Sequence, residues 1–380
     1  MGSFNAPPED PLWLDTGASL DAWLDTLSPG LPLGIDSEFE RTSTFYAIPG
    51  LVQIAVGEDV RLVEPSAVAA SHRFPALLED PERIKLLYAM SEDLELFREW
   101  LGVTARGVID LQIAGAFCGY GLSAGYVTVV NELMGVALSK DETRSDWLKR
   151  PLSLAQQQYA MADVYYLQPL YERLAGQLEE KGFLEAMREE TTRACARMAT
   201  REDPQNYYLK IRSAWRLSWG RQAVLRALCA WRESRCRELD RPRNRVVGDP
   251  VLASIAEALP RDRQALAAIP GIPPGVVRRN GEALLAVIDD VINGEHRSVE
   301  PIPPPLSKKE QQRYRSVKAV IRDAAETAGL PLELIASRRY LEPAVREGLK
   351  TGSIPPFLKT GWRAQLLGQR QKEMESILNE

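Results

Sequence analysis

Five side chains stand at spacings that chemistry can use. In GIDSEFE, residues 34–40, Asp36 and Glu38 lie two positions apart at the end of an apolar run that reads as a buried strand. Side chains at i and i+2 of a strand share one face, so the two carboxylates lie side by side. Adjacent anions are tolerated when water solvates them, when one is protonated, or when a cation sits between them. Tyr159 and Asp163, in QQQYAMADVYYLQPLY, are spaced i, i+4 and share a helical face. Asp93 falls in the first turn of the helical stretch SEDLELF, where the macrodipole favours an acid, and Asp110 ends the strand-like run VID. Each signal alone is compatible with an ordinary surface acid, and local sequence does not choose between Asp93 and Asp110.

The elements that must position these residues change character along the chain. Residues 31–65 read as three strands, LPLGIDSE, FYAIPGLVQIAVG and VRLVEP, with a turn at Gly57–Asp59. A short strand, KLLYA, then leads into a helix with Ser91 as N-cap and Gly102 just past its end. VIDLQIA reads as a strand or a strand running into a helix, and residues 153–181 have continuous helical spacing. Strands interleaved with helices predict an α/β first half. Beyond Asp203-Pro204 the strands vanish: one or two helices are expected over 207–240, Asp249 as a cap before Pro250, and short helices to Asn293. SVEPIPPPLS, residues 298–307, predicts an extended spacer, and Ser307 to Glu310 matches a capping box opening a second helical unit; Pro-Pro pairs at 273–274 and 355–356 break the helices on either side of the spacer.

Composition excludes several classes. With 380 residues, 45% hydrophobic and 26% charged, the chain is long enough for two or three globular domains and too apolar for disorder. Four cysteines without a CxxC predict reduced thiols. His72 and His296 are the only histidines and are expected at the surface, which disfavours a histidine-based zinc site. The acidic N-terminus lacks a secretory or myristoylation pattern, and the uncharged run Leu111–Asn131 carries four glycines, so a buried helix and turn are expected and no membrane association. A cytoplasmic location follows as an expectation.

In combination the acids are specific. D-x-E on a strand, an Asp opening a helix, and Y-x-x-x-D on a later helix resemble the ribonuclease D family, in the DEDDy branch of the DnaQ-like 3′→5′ exonucleases. GIDSEFE is similar to the family's first motif, LLYAMSEDLELF with VIDLQIAGAFCGYG to its second region, and SDWLKRPLS with QQQYAMADVYYLQPLY to its third. One departure is Tyr88, where relatives often have a histidine five residues before the acid. The resemblance selects Asp93 over Asp110, which becomes a structural acid, and Asp146 is expected in a loop beside Trp147. It implies two divalent ions, Mg²⁺ or Mn²⁺, which suit carboxylate ligands and phosphodiester hydrolysis. By the same resemblance Asp36 bridges both ions, Glu38 and Asp163 hold the ion that binds the attacking water, Asp93 serves the second, and Tyr159 orients the water.

The helical half resembles HRDC modules, with one copy in AWRLSWGRQAVLRALCAWRESRCRELDRPRNRVVGDP and the segment that follows, and a more divergent copy from 307. Between Lys210 and Arg245 eleven basic residues face three acids, an excess of eight that the net charge of −5 conceals. Such a stretch suits phosphate contact. The interleaved Trp215, Trp219 and Trp231 are expected in the core by their helical spacing. The expected architecture is an α/β ribonuclease H-like exonuclease domain over 1–203, its mixed sheet flanked by helices. An HRDC domain over 204–296, a linker over 297–306 and a second HRDC-like domain over 307–380 follow it. The expected function is a monomeric, metal-dependent 3′→5′ exoribonuclease that trims tRNA precursors and other small structured RNAs with a free 3′ end. The alternatives are a 3′→5′ DNA exonuclease and a non-catalytic RNA-binding protein on the same scaffold.

Overall fold

A computed structural model describes residues 5–139, 141–294 and 299–379. His296 lies outside them, and His72 is exposed. The chain forms two compact units, one of residues 1–40, 49–200 and 306–380, the other of 41–48 and 201–305.

The first unit is built on a six-stranded mixed sheet: β1 (Leu12–Leu14), β2 (Leu33–Glu40), β3 (Ile48–Val56), β4 (Asp59–Val63), β5 (Lys85–Leu87) and β6 (Val108–Asp110). The spatial order is β1-β4-β3-β2-β5-β6, with β3 and β4 antiparallel and β1–β4, β2–β5 and β5–β6 parallel. β3 is apolar on both faces, apart from the buried Gln53, because packed layers cover both sides of this central strand. Gly57, at φ +61°, makes the turn into β4.

Each face of β2 has its own layer. Leu33 and Ile35 enter a core with Leu94 and Phe97 of α1 (Ser91–Leu101). The alternate residues Gly34, Asp36 and Glu38 point the other way, toward α2 (Leu154–Tyr165) and α3 (Leu167–Lys181), which sequence spacing had merged into one helix. Tyr166 separates the two, at φ −91° and ψ 0°. Gly34 permits this contact, since a Cβ there would meet the Val164 carbonyl oxygen at 3.0 Å and Leu167 Cδ1 at 3.2 Å.

Several local expectations are corrected. The N-cap of α1 is Met90 rather than Ser91, and Met90 supplies no side-chain capping bond. The Asp110 carboxylate from β6 instead accepts the N–H groups of Ala89 at 3.0 Å and Met90 at 3.3 Å. Asp249 is not a cap either: Gly248 is, and Asp249 is drawn into an ion pair with Arg232 at 2.6 Å. Leu111–Asn131 forms two helices, Leu111–Cys118 and Tyr126–Met134, rather than one helix and a turn. The strand β1 and the helix Gly17–Asp25 were not expected from the sequence; the capping box of Thr16 uses Ser19 where Glu or Gln is the familiar partner. No helix among the described residues is long and apolar enough to cross a membrane.

The C-terminal helices belong to this first unit. Trp362 packs edge-on against Phe117, with ring centroids 5.0 Å apart, and the buried Arg363 pairs with Glu190 at 2.7 Å. Arg363 also donates to the Ile335 and Leu334 carbonyls, both at 2.8 Å. The capping box at Ser307 opens this segment as expected.

In the second unit, two 3₁₀ turns over Pro204–Lys210 and Arg212–Arg216 precede α4 (Trp219–Glu238). The last helix before Asn293 is a 20-residue element, α5 (Pro274–Asn293), rather than a short one. Part of the basic excess is internal. Arg232 is fully buried, and Glu233 takes a two-pronged pair from Arg243 at 2.6 and 2.7 Å with Arg237 at 3.2 Å. Burial would raise the Glu233 carboxyl, but Arg243, Arg232 and Arg237 hold it below its ordinary range. Trp215 and Trp231 pack partly against this core, whereas Trp219 is 65% exposed, contrary to the core expectation.

The close approach at Gly34 gives a direct test. Gly34→Ala pushes the α2–α3 junction off β2 and should cost about 1–3 kcal/mol of stability by overpacking. Thermal unfolding in EDTA measures this cost, and a parent-like melting curve would contradict the close approach.

Candidate active site

The site assembles at the C-terminal end of β2. One carboxylate oxygen from each of Asp36, Glu38 and Asp163 lies within 4.8 Å of the others. Gly34 lets α2 settle on β2, and Asp163, the neighbour of Val164, is thereby set beside the two strand acids.

Asp93 arrives from the opposite layer. It lies in the first turn of α1, which follows β5, and β5 is the parallel neighbour of β2. Acids at the carboxyl ends of adjacent parallel strands converge in the manner general to open α/β sheets. Asp93 is buried and accepts a 2.5 Å hydrogen bond from Ser37 Oγ. It stands outside the three-carboxylate cluster, yet its charge acts on both Glu38 and Asp163. Asp110 does something else. It caps the helix Leu111–Cys118 through the Gln112 N–H at 2.9 Å while holding Ala89 and Met90, so its acceptor capacity is occupied by backbone. Asp146 is likewise a turn acid, accepting from the Leu148 and Lys149 N–H groups.

Electrostatically the cluster is frustrated. Burial raises Asp36 well above its ordinary range, and the Asp163 charge adds to it. Burial, then Asp36, Asp163 and Asp93, push Glu38 up to about 10. Asp163 rises to about 7 through burial, offset in part by a hydrogen bond from Tyr159. Asp93 is raised by burial and by Asp36, against the Ser37 hydroxyl. The neighbouring charges that raise these four groups are all carboxylates, so a cation or protons must neutralise them. Closely grouped carboxylate oxygens without nitrogen or sulfur donors fit hard divalent cations such as Mg²⁺ or Mn²⁺.

Tyr159 lies one helical turn from Asp163, its hydroxyl 3.3 Å from Thr143 Oγ1. Burial, and then Asp163, raise its pKa, which keeps it a hydroxyl donor. Trp147 packs beside its ring at a tilt of 43°, with 6.0 Å between centroids. The loop that carries Trp147 is fixed by a close approach to Gly50, where a Cβ would meet Trp147 Cβ and O at 2.9 Å. Arg150 ties the same loop to Glu64 at 2.8 Å, and Gln156 donates to Ser145 Oγ at 2.8 Å.

Sequence reasoning missed several supports. Ser37 sits between the two strand acids and alternates to the other face, where it meets Asp93; the strand period itself could have pointed to it. Tyr126 donates to the Ala162 carbonyl at 2.9 Å, bracing the backbone beside Asp163. Tyr88, the departure from the family pattern, donates to the Ala124 carbonyl at 2.6 Å and packs edge-on against Tyr126. It thus has a defined structural job at that position.

Comparison with known proteins agrees with this geometry. A family model described as "3'-5' exonuclease" matches residues 11–179, the HRDC domain matches 221–288, and "Ribonuclease D, C-terminal HRDC domain" matches 309–371. Ribonuclease D of Pseudomonas paraeruginosa is 37% identical over 89% of this chain and 90% of its own length. Ribonuclease D of Cronobacter turicensis is 34% identical over 95% and 99%. The crystal structure of Escherichia coli RNase D, described as an exoribonuclease involved in structured RNA processing, superposes with a TM-score of 0.86 at 31% identity, covering 97% of this chain and 99% of that one. A carboxylate cluster at the end of a mixed sheet, helical HRDC modules and this extent of likeness lead to one conclusion: the chain belongs to the ribonuclease D family of 3′→5′ exoribonucleases.

Proposed function

We propose that this family member removes 5′-mononucleotides from the 3′ end of RNA with two divalent ions, Mg²⁺ or Mn²⁺. Its proposed substrates are tRNA precursors and other small structured RNAs, on which it acts as a cytoplasmic monomer. The observation that carries the metal reading is the trio Asp36, Glu38 and Asp163 with its buried, mutually raised carboxyls. Ions bound there would supply charge neutralisation at phosphorus, an acidified water and support for the departing 3′ oxygen.

The residues divide the work by position. Asp36 has Asp163 as its charged neighbour and acts in turn on Asp93, which supports its role as the shared ligand of both ions. Glu38 and Asp163 complete the binding set on the α2 side, and Asp93 completes it on the α1 side. Tyr159 keeps its proton and donates, so it positions the attacking water rather than deprotonating it. The domain division at 203, 296 and 306 assigns chemistry to the first part and RNA holding to the exposed arginines of the 204–296 segment, Arg216 and Arg221 among them. The reduced state of a cytoplasmic protein is supported by four free cysteines.

The decisive experiment is digestion of 3′-structured RNA and matched DNA, both 5′-end-labelled, with and without EDTA. Stepwise shortening of RNA that EDTA abolishes is expected. No metal-dependent shortening of either polymer would leave only an RNA-binding role, and preferred DNA shortening would reassign the substrate.

Three further outcomes follow. Because the site carboxyls are raised in the folded apo-protein, the stability they contribute is fully present below their unfolded pKa near 4 and is lost as pH rises through about 7 for Asp163 and about 10 for Glu38. The apo-protein's melting temperature in EDTA should therefore fall between pH 5 and pH 8 more steeply than that of Asp36→Asn. Mn²⁺ should restore more at pH 8 than at pH 5, and parallel pH profiles for parent and Asp36→Asn would refute the assignment.

Tyr159→Phe keeps the ring and deletes the hydroxyl. Single-turnover cleavage should slow by something like 10²–10⁴-fold, with the Mn²⁺ dependence unchanged, while Asp163→Asn shifts that dependence as well. Full rescue of Tyr159→Phe by excess Mn²⁺ would make the tyrosine structural.

Replacing the exposed Arg216 and Arg221 by Ala should lower the salt slope of structured-RNA binding by about one for each phosphate no longer neutralised, leaving turnover of short unstructured RNA unaltered. An identical slope would mark these arginines as a solvated surface.

A further inference from the structure

The first unit holds a cavity of about 530 Å³ beside the proposed chemistry, and Tyr159 and Asp163 line one part of it. That volume lies within the roughly 300–1,000 Å³ of small-ligand sites. Three segments form its lining: the face of α2 that carries Ala155, Gln158 and Ala162, the stretch Ala137–Ser139 with Asp141 and Glu142, and the N-terminal residues Ala6–Glu9. The α2 face is open because alanines one turn to either side of Gln158 and Tyr159 leave space where larger residues would fill it.

The N-terminal segment lies just before residues 11–179, the span that the exonuclease family model matches. It has no regular secondary structure, yet it is anchored: the Tyr166 hydroxyl donates to the Asn5 carbonyl at 3.2 Å, and the Asn5 amide donates to Glu58 Oε1 at 3.1 Å. Pro7 and Pro8 fix φ and stiffen the four lining residues, which lowers the entropy lost when a ligand is seated against them.

The lining chemistry selects the part of the substrate that fits. Glu9, Asp141 and Glu142 bring acidic groups to one part of the described lining. Apolar Ala6, Pro7, Pro8 and Leu138 suit a neutral, flat group. The geometry points to a strap, residues 5–9, that walls the pocket for the 3′-terminal nucleoside and admits it only when its base is unpaired. A pocket of this size takes one nucleoside, whereas a paired 3′ end would have to bring its partner base as well. This inference rests on the exonuclease reading above and adds to it a specificity element carried by residues just before the span that the exonuclease family model matches.

The test uses the full chain and three variants: deletion of residues 2–9, Pro7→Gly with Pro8→Gly, and Tyr166→Phe, which removes only the anchoring hydroxyl. Two readouts are taken, the calorimetric Kd for uridine 5′-monophosphate in Mg²⁺, and kcat/KM on an RNA hairpin with a 3′ overhang against the same hairpin with a blunt end. The deletion should weaken the nucleotide about tenfold, the loss expected for an apolar wall of this kind, and lower the overhang-to-blunt ratio by a similar factor. The other two variants should move both readouts in the same direction by less. Unchanged Kd and unchanged ratio in variants that melt with the parent would overturn the strap, as would a parent that binds no nucleotide. A parent that binds the nucleotide in a strap-dependent way but cuts no RNA would retain the strap and refute the nuclease reading. A parent that cuts RNA indifferently to the strap would do the reverse. If the deletion unfolds the chain, Tyr166→Phe and the diproline variant decide alone.

Discussion

The approach of α2 to β2 at Gly34 is the contact on which the site depends. With the Val164 carbonyl oxygen only 3.0 Å from where a Cβ would sit, the strand and helix are as near as backbone allows, and that nearness sets Asp163 beside Asp36 and Glu38. Grouping buried like charges is unfavourable, and each carboxyl answers by holding its proton more tightly. The fold tolerates this because two hydrophobic layers clamp the sheet from either side, one through Leu33, Ile35 and Phe97, the other through Leu51, Val164 and Leu167. The cluster is thus stressed in a sense that a divalent cation would relieve, and metal binding there would be coupled to proton release and to stability.

The surrounding polar groups hold backbone rather than join the chemistry. Asp110 gathers the N–H groups of Ala89, Met90 and Gln112, which fixes how α1 enters and hence where Asp93 points. Tyr126 and Tyr88 brace the chain at Ala162 and Ala124, and Arg150 with Gly50 sets the loop that lies over the Tyr159 ring. Nearly every element around the carboxylates is fixed by a specific polar contact, as holding the proposed metal site to small tolerances would require.

The basic segment has two roles that composition merges. Arg232, Arg237 and Arg243 neutralise the buried Glu233, and removing that carboxylate would leave the fully buried Arg232 guanidinium with Asp249 as its acidic partner. Arg216 and Arg221, by contrast, face solvent, as does Trp219 at the start of α4. The C-terminal helices differ again: Arg363 and Trp362 bury them against Glu190 and Phe117 in the first unit. Cutting the chain near residue 203 would therefore remove more than an RNA handle, since it would also uncover this surface.

Local pattern was enough to place the strands of residues 31–65, the αL glycine that ends α1, the capping box at Ser307 and the relative spacing of the four acids and Tyr159, because each is encoded within a few residues of itself. It could not see that Ser91 leaves capping to Asp110 or that Asp249 leaves capping for Arg232, since those carboxylates are claimed by groups 20 and 17 residues away. Nor could it see Tyr126 behind Asp163, the N-terminal strap, or Trp219 standing in solvent. Spacing alone left Asp93 and Asp110 equivalent. Their separation, one beside the carboxylate cluster and the other spent on backbone N–H groups, is a property of which strand ends lie next to which. That adjacency is set by long-range packing and sheet order, which no local stretch of sequence contains.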